Sequence, residues 1–105
     1  MSDALLWLTE RLEDAPEQLR ARMLAAVASV APAGATHEHL AQAAQACLVR
    51  ALRDSSRESA LELLAADALL THACEAAAEA GSEALVEFAN AWGAERLEQL
   101  LAPRP

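Results

Sequence analysis

Three histidines are the first residues in this chain of 105 residues that could bind a metal. His72 and Glu75 are three residues apart on a predicted helix, a spacing that places two ligands on one face. His37 and His39 are two apart in the first turn of another helix, so their side chains point in different directions. A metal site would need further ligands from other helices, and no pattern in the sequence supplies them. We expect solvent-exposed histidines, no bound metal and no cofactor.

Asp67 is the most unusual acidic residue, because it lies between two pairs of leucines on one predicted helix. A carboxylate in that position must be hydrogen-bonded, paired with an arginine such as Arg50 or Arg53, or placed at the edge of the buried face. Steps of four residues lead from Asp67 to Thr71 and Glu75, which favours the third interpretation, a polar stripe. General acid–base catalysis would need a second carboxylate facing Asp67, and no pattern places one.

The sequence contains no recognisable catalytic set. Cys47 and Cys74 lie in no context typical of an activated nucleophile, and the three glycines are isolated, so they form no phosphate-binding loop. The two cysteines also lack a paired spacing, and we interpret both as small apolar side chains on helix faces in a reducing compartment. We therefore expect a protein that is not an enzyme.

Two short segments resemble known families. Residues 64–71, Leu-Ala-Ala-Asp-Ala-Leu-Leu-Thr, look like a helix of trans-isoprenyl diphosphate synthases, but the aspartate-rich motifs that hold magnesium and diphosphate in that family are missing. Asp54-Ser55-Ser56 before a helix is similar to the site of acyl carrier proteins where a serine bears phosphopantetheine, with Ser56 in place of the leucine. A helix cap accounts for Ser55, so neither resemblance carries an activity over.

Composition narrows the class of partner and the compartment. The formal net charge of −8 argues against binding to nucleic acid or anionic membranes, since both need clustered basic residues and the eight arginines are scattered. The acidic start, Met1-Ser2-Asp3, is not typical of a secretory signal. The most apolar window, 60–80, contains four carboxylates and a histidine, too many for a membrane span. We expect a cytoplasmic protein.

Capping residues and apolar periodicity predict one all-α domain over 1–105, a small up-and-down bundle of about five helices. The predicted helices cover 3–14 after a cap at Ser2, about 15–31 after a cap at Asp14, a third stretch after a cap at Thr36, 56–81 after a capping box of Ser55 and Glu58, and a fifth stretch from a cap at Ser82 to just before Pro103. Gly93 inside the last helix indicates either close packing of a neighbouring helix, which we favour, or a bend.

The long fourth helix is the central element of this prediction. Its leucines point in several directions, more than one neighbouring helix can cover, so we expect a homodimer that buries one side of this helix or of the fifth. The candidate interface or pocket residues are Leu61, Leu64, Asp67, Leu69, His72, Phe88 and Trp92.

Three functional hypotheses remain open at this point. The preferred one is a noncatalytic interaction or accessory module that dimerises and presents a surface to another protein. The alternative is a bundle that binds a lipid, isoprenoid or other hydrophobic molecule in an apolar pocket near Asp67 and His72, with walls formed by Leu64, Ala68, Leu69 and Ala73. The third is a metal-dependent or carrier component, which requires His72 and Glu75 to converge with a ligand from another helix.

Overall fold

The computed structural model describes residues 2–32 and 34–102, apart from the side chains of Ala94, Glu95, Leu97 and Leu100. Its helices are α1 (Asp3–Arg11), α2 (Glu17–Ser29), α3 (Thr36–Ala51), α4 (Arg57–Ala80), α5 (Ser82–Trp92) and α6 (Ala94–Leu101), and the described residues contain no strand. Each helix packs against the next one in the chain, and α3 and α4 form the most extensive contact. The predicted all-α bundle with a long fourth helix is confirmed.

Local side chains explain several helix ends. The Ser2 hydroxyl accepts a hydrogen bond from the backbone N–H of Leu5 at 3.2 Å, as predicted for the cap of α1. Ser56 caps α4 by accepting from the N–H of Ser59 at 3.1 Å, one residue later than the cap predicted at Ser55. Thr36 is the first residue of α3 rather than its cap. The predicted boundaries are therefore correct to within one residue at these three ends.

The start of α2 differs from the prediction. Pro16 occupies the N-cap position and Asp14 does not cap the helix. Pro16 disfavours a helical Ala15 and has an extended ψ of 137° itself, so α2 starts only at Glu17. The first helix ends at Arg11, three residues before the predicted end. The two helices are joined by a short turn instead of by a shared capping residue.

Two glycines mark the ends of α4 and α5. Gly81 has φ of +126°, a backbone conformation that L side chains rarely adopt, and this confirms the predicted helix stop. Gly93 breaks the predicted fifth helix into α5 and α6, because its backbone is extended. A Cβ at Gly93 would lie 2.6 Å from the carbonyl oxygen of Ala89, which belongs to the helix that ends there and not to a neighbouring one. The favoured prediction of close helix packing at Gly93 is therefore wrong, and the glycine marks a bend. Pro103 lies outside the described residues, as do the Leu97 and Leu100 side chains.

The core combines a few large side chains with many alanines. The largest fully buried residues are Leu8, Met23, Val27, Leu40, Cys47 and Leu69. Buried alanines line both α3 and α4, and small side chains let two helix axes approach closely, which explains why these two helices form the main contact. Cys47 is a buried filler as predicted, but Cys74 is exposed.

His39 is buried, contrary to the expectation that the histidines are exposed. Its Nε2 lies 3.0 Å from the carbonyl oxygen of Val27 and 3.2 Å from that of Val30, at the end of α2. Carbonyl oxygens only accept hydrogen bonds, so the ring donates its Nε2 proton to them. His39 therefore satisfies carbonyls that have no partner within their own helix, and it fixes α2 to the first turn of α3.

Candidate interaction site

A shallow groove of about 180 Å³ runs between α3 and α4 and is closed at one side by the end of α5. We call it the apolar groove; its walls are Ala41, Ala44, Gln45, Leu48, Leu63, Ala66, Asp67, Leu70 and Trp92. The alanines lie between larger side chains, so a depression remains between the leucines of the two helices. This surface is apolar except for Gln45 and Asp67.

Helical spacing brings the groove residues together. Leu63, Ala66 and Leu70 are three and four residues apart on α4, which places them on one face of the helix. Trp92 stacks on the buried ring of Phe88, with centroids 6.4 Å apart and planes inclined by 21°. Phe88 therefore packs against the indole of Trp92 from the core side and supports its position at the groove.

One large apolar side chain of the groove remains half exposed: Leu63 is 52% exposed. Leu52, four residues after Leu48 at the end of α3, is 53% exposed but is not among the walls of the groove. The exposure of Leu63 contrasts with that of Leu69, which lies on the same helix, α4, and is 0% exposed. Neighbouring helices thus cover only part of α4.

Asp67 is exposed at the groove, and it forms no ion pair within the described residues. Its backbone carbonyl accepts a hydrogen bond from the Thr71 hydroxyl at 3.0 Å. Arg50, which the sequence analysis considered as a partner for Asp67, instead donates to Glu62. Of the three environments considered for Asp67, the structure shows the edge of the buried face.

A second depression, of about 720 Å³, adjoins the apolar groove and shares Gln45 and Trp92 with it. We call it the basic cleft; its walls are Val30, Gln42, Gln45, Ala46, Val49, Arg50, Arg53, Trp92 and Arg96. Arg96 donates to the Gln45 side-chain oxygen at 2.8 Å, and its guanidinium lies 4.8 Å from the centre of the Trp92 ring. Three of the eight arginines therefore line one cleft whose described walls contain no carboxylate.

Charged residues form a closed network on the side of α4 that faces α2. Arg22 donates to one Glu62 oxygen at 2.8 Å, and Arg50 donates to the other at 3.3 Å. Arg22 also binds the exposed Glu58 at 2.5 Å. We call these four residues the ionic network; they lie beside an open cleft of about 660 Å³. The network joins α2, α3 and α4.

The ionic network changes the acidity of two groups. Desolvation raises the pKa of Glu62, but the hydrogen bond from Arg22 and the charge of Arg50 outweigh it, so the pKa lies below its ordinary value. Burial, together with the negative charge of Glu62, raises the pKa of the Cys47 thiol to about 11. Glu62 is thus held ionised, and Cys47 is held as an unreactive thiol.

A third polar cluster joins α1 to the end of α4. The Trp7 indole donates to Glu79 at 2.9 Å, and Arg11 binds the same carboxylate at 2.8 Å while its guanidinium lies 3.7 Å from the centre of the Trp7 ring. His72 lies edge-on to Trp7, with Nδ1 3.6 Å from Glu75. The hydrogen bond from Trp7 is the main reason why the pKa of Glu79 is lowered, with Arg11 adding to it.

The structure separates most of the predicted site residues. Asp67 and Trp92 meet at the apolar groove, and Phe88 supports Trp92 from the core. The remaining candidates lie elsewhere: Leu61 and Leu64 beside Gln18 of α2, Leu69 in the core, and His72 against α1. Among five depressions of the described surface, only the one beside Gln18 includes Leu64, and none includes Ala68, Leu69 or Ala73.

Sequence reasoning missed the opposite wall of the groove and the ionic network. The signal for the wall was the spacing of Ala41, Ala44 and Leu48, small residues next to a large one on a single helix face. The signal for the network was Glu62, an acidic residue directly between two leucines. Neither pattern indicates which other helix of the chain these residues contact.

Metal ligands do not cluster in the described part of the chain: no group of three or more His, Cys, Asp or Glu side chains converges there. None of the helices described is both long enough and apolar enough to cross a membrane. Comparison with known proteins finds no matching family model, no matching curated protein and no matching solved structure.

Proposed function

We propose that this chain is a noncatalytic protein-interaction module that forms a homodimer through the apolar groove. The observation that carries the proposal is Leu63, which is 52% exposed in the wall of a concave apolar surface that ends at Trp92. Apolar area removed from water contributes about 25 cal/mol per Å². An exposed leucine in a groove therefore favours association much more than an isolated one on a convex surface.

The size of the groove favours a protein side chain over a small molecule as its occupant. Pockets for small ligands usually enclose about 300–1,000 Å³ and cover most of the ligand. The apolar groove has about 180 Å³ and is open along α3 and α4. An amphipathic helix laid along such a groove inserts single side chains at one-turn spacing, which suits these dimensions. A hydrophobic small molecule is the alternative occupant.

A dimer interface of ordinary size would cover a modest share of the chain's surface. A stable interface of standard size buries about 800 Å² of each partner. The chain exposes 6613 Å², so such an interface would use roughly an eighth of its surface.

Both cysteines are free thiols, and one is exposed, which supports a reducing compartment and hence the cytoplasm as the proposed location.

Light scattering after size exclusion, over a hundredfold range of concentration, tests the proposal with one variant and one matched control. Leu63→Glu places a charge in the apolar groove and should abolish the dimer. Leu6→Glu is the control, because Leu6 is also 52% exposed but lies on α1, outside the groove. Both substitutions are at exposed positions. We therefore expect the unfolding free energy of each variant, per monomer, to lie within about 0.5 kcal/mol of that of the wild-type monomer.

The possible results separate the hypotheses. A wild-type dimer, a monomeric Leu63→Glu variant and a dimeric Leu6→Glu variant would support the proposal. A wild-type monomer at every concentration, or a dimer unaffected by Leu63→Glu, would refute it. Native mass spectrometry of the protein as isolated would reveal a bound hydrophobic molecule as extra mass lost on denaturation, and such a result on a monomer would favour the alternative.

A further inference from the structure

The surface around the apolar groove carries opposite charges at separate places. Asp67 is the single acidic residue among the groove walls, and the adjoining basic cleft contains Arg50, Arg53 and Arg96. The two depressions meet at Gln45 and Trp92. Any partner that covers the groove must therefore accommodate a carboxylate within it and guanidinium groups beside it.

A second copy of the chain meets both requirements at once. If the proposed dimer forms through the groove, it removes water from Asp67, and a desolvated carboxylate costs several kcal/mol unless a cation compensates it. An interface between identical copies is self-complementary, so each residue contact occurs twice around the two-fold axis. The basic cleft adjoins the groove in each copy, so an interface that sets the two grooves face to face can bring the cleft of one copy to Asp67 of the other.

Arg53 is the arginine of the basic cleft that is free to make this pair. Arg50 already binds Glu62, and Arg96 is held by Gln45 and Trp92. Arg53 is exposed, follows the last turn of α3, and makes no side-chain hydrogen bond or ion pair within the described residues. Arg20 and Arg57 are not among the walls of the basic cleft.

We infer that Asp67 of one copy binds Arg53 of the second copy, and that this reciprocal pair sets the register of the homodimer. The inference depends on the proposed dimer and adds to it a specific ionic contact. Apolar contacts along the groove supply affinity, while a pair of opposite charges at each end excludes other alignments of the two grooves.

Charge exchange tests the inference with two single variants, Asp67→Arg and Arg53→Asp. Each variant alone places like charges at both contacts of its homodimer, so we expect its dissociation constant to rise at least about tenfold. Mixing the two variants should restore a heterodimer of wild-type affinity, because both contacts are then attractive, one with the native signs and one with the signs reversed. The mixed dimer also carries the same total charge as the wild type, which removes net repulsion as an explanation.

Native mass spectrometry resolves the heterodimer by mass, and sedimentation gives the dissociation constants. Arg57→Asp is the matched control, since Arg57 is also exposed and should change the constant less than about twofold. Circular dichroism checks that every variant stays folded. Weakened single variants that recover on mixing would support the pair.

Two failures can be told apart. A wild-type chain that stays monomeric overturns the proposed dimer and this pair with it. A wild-type dimer whose single variants keep full affinity, or whose weakened variants do not recover on mixing, overturns only the pair of Asp67 with Arg53 and leaves the apolar groove as the interface.

Discussion

On the side of α4 that faces α2, each oxygen of Glu62 has a guanidinium within 3.3 Å, whereas at the apolar groove Asp67 has no ion pair within the described residues. The two carboxylates are five residues apart on one helix. Glu62 is satisfied inside its own chain, so it contributes to the stability of the fold. Asp67 has no such partner among the described residues, and Leu63 in the same groove is 52% exposed, so both would gain contacts only if another surface covered them.

The two surfaces of α4 therefore differ in how far their polar and apolar groups are covered or paired within the chain itself. The ionic network joins three helices with charge-assisted hydrogen bonds. The apolar groove leaves Leu63 half exposed even though the same helix buries Leu69 completely. Changes at the network should therefore affect the free energy of unfolding, and changes at the groove should affect the dissociation constant of the proposed dimer.

The largest expected effect is on thiol reactivity. Cys47 is buried beside Arg50 in the region of the ionic network, and with a pKa of about 11 it is ionised to roughly one part in a thousand at pH 8. Cys74 is exposed on α4. We expect a colorimetric disulfide reagent to modify Cys74 at least about a hundredfold faster than Cys47 in the folded protein.

The matched variants for this measurement are Cys74→Ser and Cys47→Ser. The first should leave a protein that reacts slowly until it is unfolded in urea, and the second should react at the rate of the exposed thiol. Equal rates for the two cysteines in the folded chain would contradict the conclusion that Cys47 is buried and unreactive beside the ionic network.

The next effect is on stability. Glu62→Ala leaves Arg22 and Arg50 without their shared carboxylate, and because these arginines are partly exposed we expect a loss of about 2–3 kcal/mol, less than for a fully buried pair. Glu58→Ala is the matched control, since Glu58 binds the same Arg22 but its side chain is 72% exposed. It should cost about 1 kcal/mol or less.

Urea denaturation followed by circular dichroism measures both losses. The two substitutions are best compared in the Leu63→Glu background, where dimerisation does not contribute to the unfolding free energy. Similar losses for Glu62→Ala and Glu58→Ala would show that the buried carboxylate is not the centre of the network.

The smallest expected effect is on the pH dependence of stability. The folded pKa of Glu62 lies below its ordinary value of 4.5. The unfolded chain therefore binds this proton more readily, and the contribution of Glu62 is present above about pH 4.5 and is lost as the pH falls through the folded pKa. Glu62→Gln removes the titrating group, so its stability should fall less steeply between about pH 5 and 3 than that of the wild type.

Other carboxylates provide the internal reference for that titration. Hydrogen bonds from Ser59 and Ser56 lower the pKa of Asp54 to about 2, and the Trp7 indole lowers that of Glu79. Both groups titrate in the wild type and in Glu62→Gln alike. An identical acid slope for the two proteins would contradict the assigned role of Glu62.

Much of the fold could be predicted from local signals. Ser2 and Gly81 mark helix ends through a hydroxyl cap and a positive φ, and both effects depend on neighbouring backbone groups alone. The prediction was wrong where one residue type is compatible with two different local structures. Pro16 stops a helix from starting earlier as readily as it follows a cap, and Gly93 permits both a bend and a close approach.

The candidate site was less predictable than the fold. Asp67 and Trp92 were chosen for their residue types, and the groove contains both. His72 was chosen with them and lies against Trp7 of α1, while His39, expected to be exposed, is buried under α2. Distances between helices decide such outcomes, and a single sequence pattern contains no information about them.

The all-α class, the long fourth helix and the alanines that let α3 and α4 pack closely follow from periodicity and side-chain size along one helix, which can be read from the residues alone. Which leucines are covered depends instead on how the helices are arranged around one another. Leu63 and Leu69 are identical side chains on α4, yet one is 52% exposed and the other 0%. Periodicity sets the angle between them around the helix axis, but only the positions of α2, α3 and α5 determine which direction is buried.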